Sequence, residues 1–229
     1  MTVELKQHYV AFLDVLGFSE MVKSDLVDDN HLYLSKLFKC HQRAAEVFSD
    51  DPNCFITQFS DSIVISKPYE EKSFEWFATR VAKYQRILLD ERLLCRGGIA
   101  VNKHFSNGSF TFSAGLIEAY HVESKIARYP RVVISPELID LVFPEKKEIP
   151  EFLVQEDDGM LFIDYVGLTQ KQRPKTLVLS ITDVVTKLLM NENPSLREKG
   201  IWLATYSDST LKTKLAPKKF VGKMIIKKK

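Results

Sequence analysis

Apolar residues in this chain occur in two patterns that alternate along it: short unbroken runs, and longer stretches with apolar positions three or four residues apart. The first run, "HYVAFLDV" (8–15), is aromatic and β-branched and predicts a central strand. "SEMVKSDL" (19–26) then predicts a helix capped by Ser19, and "NHLYLSKLFKCHQRAAEVF" (30–48) a longer one with Leu34, Leu37, Phe38 and Ala45 in helical phase. "NCFITQF" (53–59) and "SIVISK" (62–67) read as two strands folded back on each other around "SDS". A helix over 70–91 follows, through Phe74, Phe77, Val81, Tyr84 and Leu88. Next comes a strand, "LLCRGGIAVN" (93–102), whose paired glycines mark close approach of another backbone. A helix with Leu116, Ala119 and Val122 on one side leads to the strand "PRVVIS" (130–135), with Pro130 at its edge. The order strand, helix, two strands, helix, strand is that of a ferredoxin-like α+β unit, here followed by one more helix and strand. Beyond it, "LVQED" and "MLFIDYV" predict a hairpin turning at Asp158-Gly159, and helices are expected over 181–192 and 194–215.

With 229 residues, 45% of them hydrophobic, the chain can bury a proper core. No repeat and no Pro/Gly-rich linker divides it. It reads as one domain over 1–180 with a helical extension and basic tail over 181–229. Lys+Arg number 32 against Asp+Glu 30, a formal charge of +2, so the body lacks the basic excess of a nucleic-acid-binding protein. The final "KLAPKKFVGKMIIKKK" is the exception: a solvated tail, or a contact for an anionic membrane surface or partner. Cys40, Cys54 and Cys95 are odd in number and lack C-x-x-C spacing, which predicts reduced core residues and no disulfide framework or structural zinc. Glu4 and Gln7 stand where a signal peptide needs apolar residues, and no apolar run approaches the ~20 residues needed to cross a bilayer. A soluble, cytoplasmic protein is expected.

Two carboxylates stand out against this pattern. Asp14 ends the first apolar run and is followed by a glycine turn, while Asp61 interrupts the run in "FITQFSDSIVIS". In the predicted topology the end of the first strand and the hairpin tip converge at one edge of the sheet. Two ionised carboxylates brought together need compensation, because they repel and burial penalises both. Hard carboxylate oxygens suit Mg²⁺ or Mn²⁺. Two such ions shared by Asp14 and Asp61 would support phosphoryl transfer, activating a hydroxyl and holding a triphosphate leaving group. Backbone N–H groups of Leu16, Gly17 and Phe18, at the start of a helix, form an anion-binding turn. Arg96, on the strand with the paired glycines, offers a guanidinium for outer phosphates.

"FLDVLGF", "FSDS" and "CRGGIAV", with the helix "FSAGLIEAYHVES", together resemble the class III nucleotidyl cyclases over about residues 8–135. The resemblance implies that Asp14 and Asp61 ligate both metals, that the Val15 carbonyl joins them, and that Arg96 holds the terminal phosphates. It also implies a homodimer with sites assembled across the interface. Purine cyclases of this class carry an adenine-reading Lys four residues before the second metal Asp. Here that position is Thr57, the candidate base contact. The family's helix Asn and Arg fall at Ile117 and His121. "GFSE", "RGGI", "EAYHVE" and "YPRVVIS" look most like the Pycsar-type pyrimidine cyclases of bacterial antiphage defence. These convert UTP or CTP to the 3′,5′-cyclic monophosphate, which a separate effector senses. Lys125 and Arg131 are further candidate contacts. The rival readings are a cytidylate cyclase, an inactive nucleotide-binding module of the same fold, and a GGDEF-type enzyme, whose hairpin motif "FSDSI" does not supply.

Overall fold

The central strand of the predicted unit is β1 (Lys6–Val15), buried from Tyr9 to Leu13 because sheet neighbours flank it on both sides. The structure is a computed structural model that describes residues 4–145 and 149–218; the tip of the lysine-rich tail, from 219 on, lies outside them. β1 pairs antiparallel with β3 (Ser62–Pro68) and β4 (Cys95–Ser106), and β2 (Phe55–Phe59) pairs with β3. Two helices, α1 (Phe18–Val27) and α2 (Leu32–Phe48), link β1 to β2, and α3 (Phe74–Asp90) links β3 to β4. The short β5 (Thr111–Ser113) folds back on β4, and α4 (Ala114–Lys125) then carries the chain to β6 (Val132–Ile134), parallel to β4. After α5 (Pro136–Val142), the hairpin of β7 (Leu153–Gln155) and β8 (Leu161–Ile163) extends the sheet beyond β6, turning at Gly159 with φ +82°. Helices α6 (Tyr165–Thr169), α7 (Pro174–Leu189) and α8 (Pro194–Leu211) complete the chain. The sheet runs β2-β3-β1-β4-β6-β8-β7, which makes the fold α+β with an eight-stranded, mostly antiparallel sheet around a ferredoxin-like core.

Strand alternation sends Tyr9, Ala11, Leu13, Ile63, Ile65 and Ile99 to one face, where α2, α3 and the C-terminal helices close a single large core. The opposite face carries Val10, Phe12, Val64 and Ala100 and receives α4 through Ala119 and Leu116. Gly98 permits that approach, since a Cβ there would lie 2.4 Å from the Ala119 carbonyl oxygen; at Gly97 the crowding is with β1, where a Cβ would lie 2.5 Å from the Phe12 carbonyl oxygen. One helix cannot cover the whole face. Phe55, Thr57 and Phe59 of β2 stay exposed on it.

Several elements depart from the sequence reading. Gly17, in the left-handed region at φ +80°, stands at the cap of α1, and Ser19 is already inside the helix. Helix α2 buries Leu37, Cys40, Ala44 and Phe48, which leaves Leu34 and Phe38 exposed; the true stripe runs through a cysteine and an alanine. Helix α7 starts at Pro174, earlier than expected, and so runs through residue 180. Cys40 and Cys95 are buried, Cys54 is half-buried, and all three are free thiols. Among the described residues no helix is long and apolar enough to cross a membrane.

Candidate functional site

β1 ends at one edge of the sheet, with Asp14 directly opposite Ser62 of β3 and Arg96 of β4. Asp61 lies in the β2–β3 turn, which Ser60 closes at φ +57°. The Val15 N–H donates to the Asp61 carbonyl at 2.9 Å, fastening that turn to the end of β1. The two aspartates, 47 positions apart in the sequence, thereby belong to one cluster. Burial raises the Asp14 carboxyl above the usual range; Arg96 opposes that, and the Asp61 charge adds to it.

The Leu16 N–H donates to the Leu94 carbonyl at 2.8 Å, so Leu16 is not a free donor as the sequence suggested: the amide is spent on tying the turn to the residue just before β4. Gly17 caps α1 and its carbonyl accepts the first helical bond, from the Met21 N–H, so the N–H groups of Gly17 and Phe18, like those of Ser19 and Glu20, are open donors of the helix start. Arg96 is also not free. Its Nε–H points at Asp14 Oδ2, 3.3 Å away, and the same nitrogen lies 2.6 Å from Glu123 Oε1, off the N–H axis, in an ion pair without hydrogen-bond alignment.

Glu123 was not singled out from the sequence. It is 2% exposed, at the end of the α4 stripe formed by Gly115, Ala119 and Val122. Burial raises its carboxyl to about 7 against the pull of Arg96, and the charges of Asp14 and Asp61 add to the rise. A glutamate in phase with the buried face of a helix was the available signal. The positions corresponding to the cyclase helix Asn and Arg point elsewhere: Ile117 is 70% exposed and His121 is exposed, on the side of α4 away from the sheet. Thr57 faces solvent on the same sheet face as Phe12, one strand beyond Val64. Arg131 is remote in role: it is fully buried and paired with Glu156 and Asp158. Lys125 is exposed in the last turn of α4.

The cluster therefore holds three carboxylates, one guanidinium and a helix start with open N–H groups. Among the described residues no group of three or more His, Cys, Asp or Glu is arranged to hold a metal ion. Asp14 and Asp61, with the Val15 carbonyl, are a hard-oxygen donor set, and the buried charge on Asp14 is the kind that a divalent cation relieves.

No protein-family model and no curated protein matches the chain. Solved structures do. The adenylyl cyclase CyaB from P. aeruginosa superposes with a TM-score of 0.52 at 14% identity, covering 71% of this chain and 96% of that one. The guanylyl cyclase Cya2 (TM-score 0.46, 12% identity, 71% of this chain and 94% of that one) is also similar. So is an adenylate/guanylate cyclase/hydrolase from Silicibacter pomeroyi (0.43, 15%, 70% and 95%). The chain has the fold of the nucleotidyl cyclase CyaB.

Proposed function

We propose that this protein is a nucleotidyl cyclase that converts UTP to 3′,5′-cyclic UMP and pyrophosphate. The observation that carries the proposal is the fastening of the Asp61 turn to β1, which sets both aspartates, Arg96 and the Gly17 helix start at one sheet edge. The likeness of fold to a cyclase supports it. In the reaction the ribose 3′-hydroxyl gives up its proton to solvent, its oxygen bonds to the α-phosphorus, the bond from that phosphorus to the bridging oxygen breaks, and pyrophosphate leaves with the electron pair. Asp14, Asp61 and the Val15 carbonyl would hold Mg²⁺ or Mn²⁺ ions, which supply Lewis-acid polarisation and a more acidic 3′-hydroxyl. The Gly17 and Phe18 N–H groups take phosphate oxygens. Arg96, steadied from behind by Glu123, swings from Asp14 to the outer phosphates. Catalysis rests on positioning and charge complementarity.

Pyrimidine preference is supported by the resemblance to Pycsar-type cyclases and by Thr57 in place of an adenine-reading Lys, exposed on the open face. The same resemblance carries the role in antiphage defence and the separate effector. That open face, with exposed Phe55, Phe59 and Tyr120, supports a homodimer paired across it. One observation favours a second reading, an inactive nucleotide-binding module: Arg96 is engaged by two carboxylates, and Ile117 and His121 turn away.

Purified protein incubated separately with UTP, CTP, ATP and GTP in Mn²⁺ decides between them. Cyclic UMP and pyrophosphate are expected, at rates at least 100-fold lower in Asp14→Ala and Asp61→Ala. Absence of a cyclic product from all four leaves the inactive module; full activity in either variant overturns the metal assignment.

A further inference from the structure

A cavity of about 560 Å³ adjoins the candidate site at the Gly17 turn. Helices α1 and α2 form one wall, and α7 and α8 the other. Its lining is divided chemically. Met21, Leu94, Val184 and Leu188 make an apolar interior, while Lys36, Lys187 and Lys199 stand around it. None of these lysines is in an ion pair among the described residues. Lys199 Nζ donates to Ser195 Oγ at 2.8 Å, Lys187 Nζ reaches only the Tyr33 hydroxyl at 3.5 Å, and Lys36 lies over the Tyr33 ring. The two carboxylates of the lining are already engaged: Asp183 by Arg92 through both Nε and Nη2, and Glu20 by Lys23.

Three lysines without an ion-pair partner among the described residues thus line one cavity whose two carboxylates are already engaged. A bare inorganic anion matches the lysines and leaves the apolar interior unmatched. A purely apolar ligand does the reverse. We propose that this cavity is a binding site for an organic phosphate of nucleoside size, its apolar body between Met21 and Leu188 and its phosphate on Lys36, Lys187 and Lys199. The volume lies in the range of small-molecule sites, and apolar walls with a few convergent charges are their usual lining.

Leu16 and Gly17 also line the cavity. They follow Asp14 by two and three positions, so an occupant bears on the turn that carries the candidate phosphate donors, and the site is placed to regulate the reaction. Burial and then the charge of Arg96 lower the Lys199 ammonium pKa, so the cavity wall borders the Arg96 cluster. Binding itself is independent of the cyclase reading.

The test is fluorescence titration of the full chain carrying Asp14→Ala with trinitrophenyl-ATP in EDTA, where metal-dependent binding at the aspartate site is silent. Saturable binding at one site per chain is expected, displaced by unlabelled nucleoside triphosphates. The dissociation constant should rise at least tenfold in Lys36→Ala/Lys187→Ala, since each charge-assisted hydrogen bond is worth about that factor or more. Leu188→Trp, which fills the interior, should abolish binding. Absence of saturable binding overturns the proposal, as does an affinity unmoved by the lysine pair, whose exposed or half-exposed positions leave folding intact. Displacement by inorganic pyrophosphate as effective as by ATP overturns the organic body. Cyclase activity fails or succeeds by its own product assay, so the two readings stand or fall separately.

Discussion

Glu123 shows how one buried charge sets the behaviour of its neighbours. Its 2.6 Å ion pair keeps Arg96 at the sheet edge without drawing the Nε–H away from Asp14. Glu123→Gln preserves the shape and removes the charge, so Arg96 closes on Asp14 and competes more strongly for the carboxylate that cations need. The Mn²⁺ concentration giving half-maximal cyclase activity should rise about tenfold, with the melting temperature unchanged within a few degrees; an unchanged Mn²⁺ requirement would falsify this positioning role. His104, at the other end of β4, makes a pH prediction. It is 2% exposed, Nδ1 sits 2.8 Å from Ser113 Oγ, and burial, with the His8 ring 4.9 Å away, lowers its imidazole to about 4. The unfolded chain binds a proton at about 6.5 that the folded chain refuses until about 4. Stability is therefore highest above pH 6.5 and falls between 6.5 and 4, by up to about 3 kcal/mol. His104→Gln should flatten that part of the curve in urea titrations at pH 7 and pH 4.5; an equal slope in both proteins discards the assignment.

At the scale of elements, the β7–β8 hairpin is held to the sheet by strand pairing with β6 and by side chains from outside it. Arg131, just before β6, is fully buried, pairs with Glu156 and Asp158 of the hairpin turn, and lies near the Phe162 and Tyr129 rings. Trp202 of α8 donates to Glu156 Oε1 at 2.7 Å, so hairpin, sheet and last helix meet on one ion pair. Breaking a fully buried pair costs about 3–5 kcal/mol, but Glu156 and Asp158 keep some exposure and rehydrate; Arg131→Met should cost about 2–3 kcal/mol by urea midpoint, and Glu156→Gln about 1. Equal costs would place the stabilisation in the carboxylates and not in the arginine. The sequence offers Arg131 as a candidate site contact, whereas it is buried in the ion pairs of the hairpin turn. Strands β1, β3 and β4 were legible because unbroken apolar runs fit a strand between two others, and the close approach announced by the paired glycines is that of α4 at Gly98 and of β1 at Gly97. The phase of α2 was not: Leu34 and Phe38 are more apolar than Cys40 and Ala44, yet packing took the smaller residues against α3. The meeting of Asp14 and Asp61 was legible through topology. The capture of Arg96 by Glu123 was not, because no local pattern distinguishes an inward glutamate from a solvated one before the helix is docked.

For the whole molecule, the question is whether the C-terminal helices are an appendage or part of the body that carries the candidate site. A division at residue 180 would cut α7, and Ile181, Val184, Val185 and Leu203 are buried in the same core as Tyr9 and Ile99. Tyr206 of α8 is buried too; its hydroxyl accepts the Val166 N–H at 3.1 Å and donates to Asp164. Each large apolar side chain stabilises the fold by about 1.5–3 kcal/mol on burial, and the Val166 N–H would lose its partner without Tyr206. Together these exceed the net stability of an ordinary domain, about 5–15 kcal/mol, at its lower end. A chain ending at residue 180 should therefore show no cooperative thermal transition and collect in the insoluble fraction, whereas one ending at residue 218 should melt as the full chain does. A soluble, cooperative 1–180 fragment that makes cyclic nucleotide would show that α7 and α8 only lean on the catalytic body. Failure of that fragment, with the longer chain intact, ties the lysine-bearing cavity wall to the same folding unit as Asp14, which is what lets an occupant of the cavity act on the turn beside it.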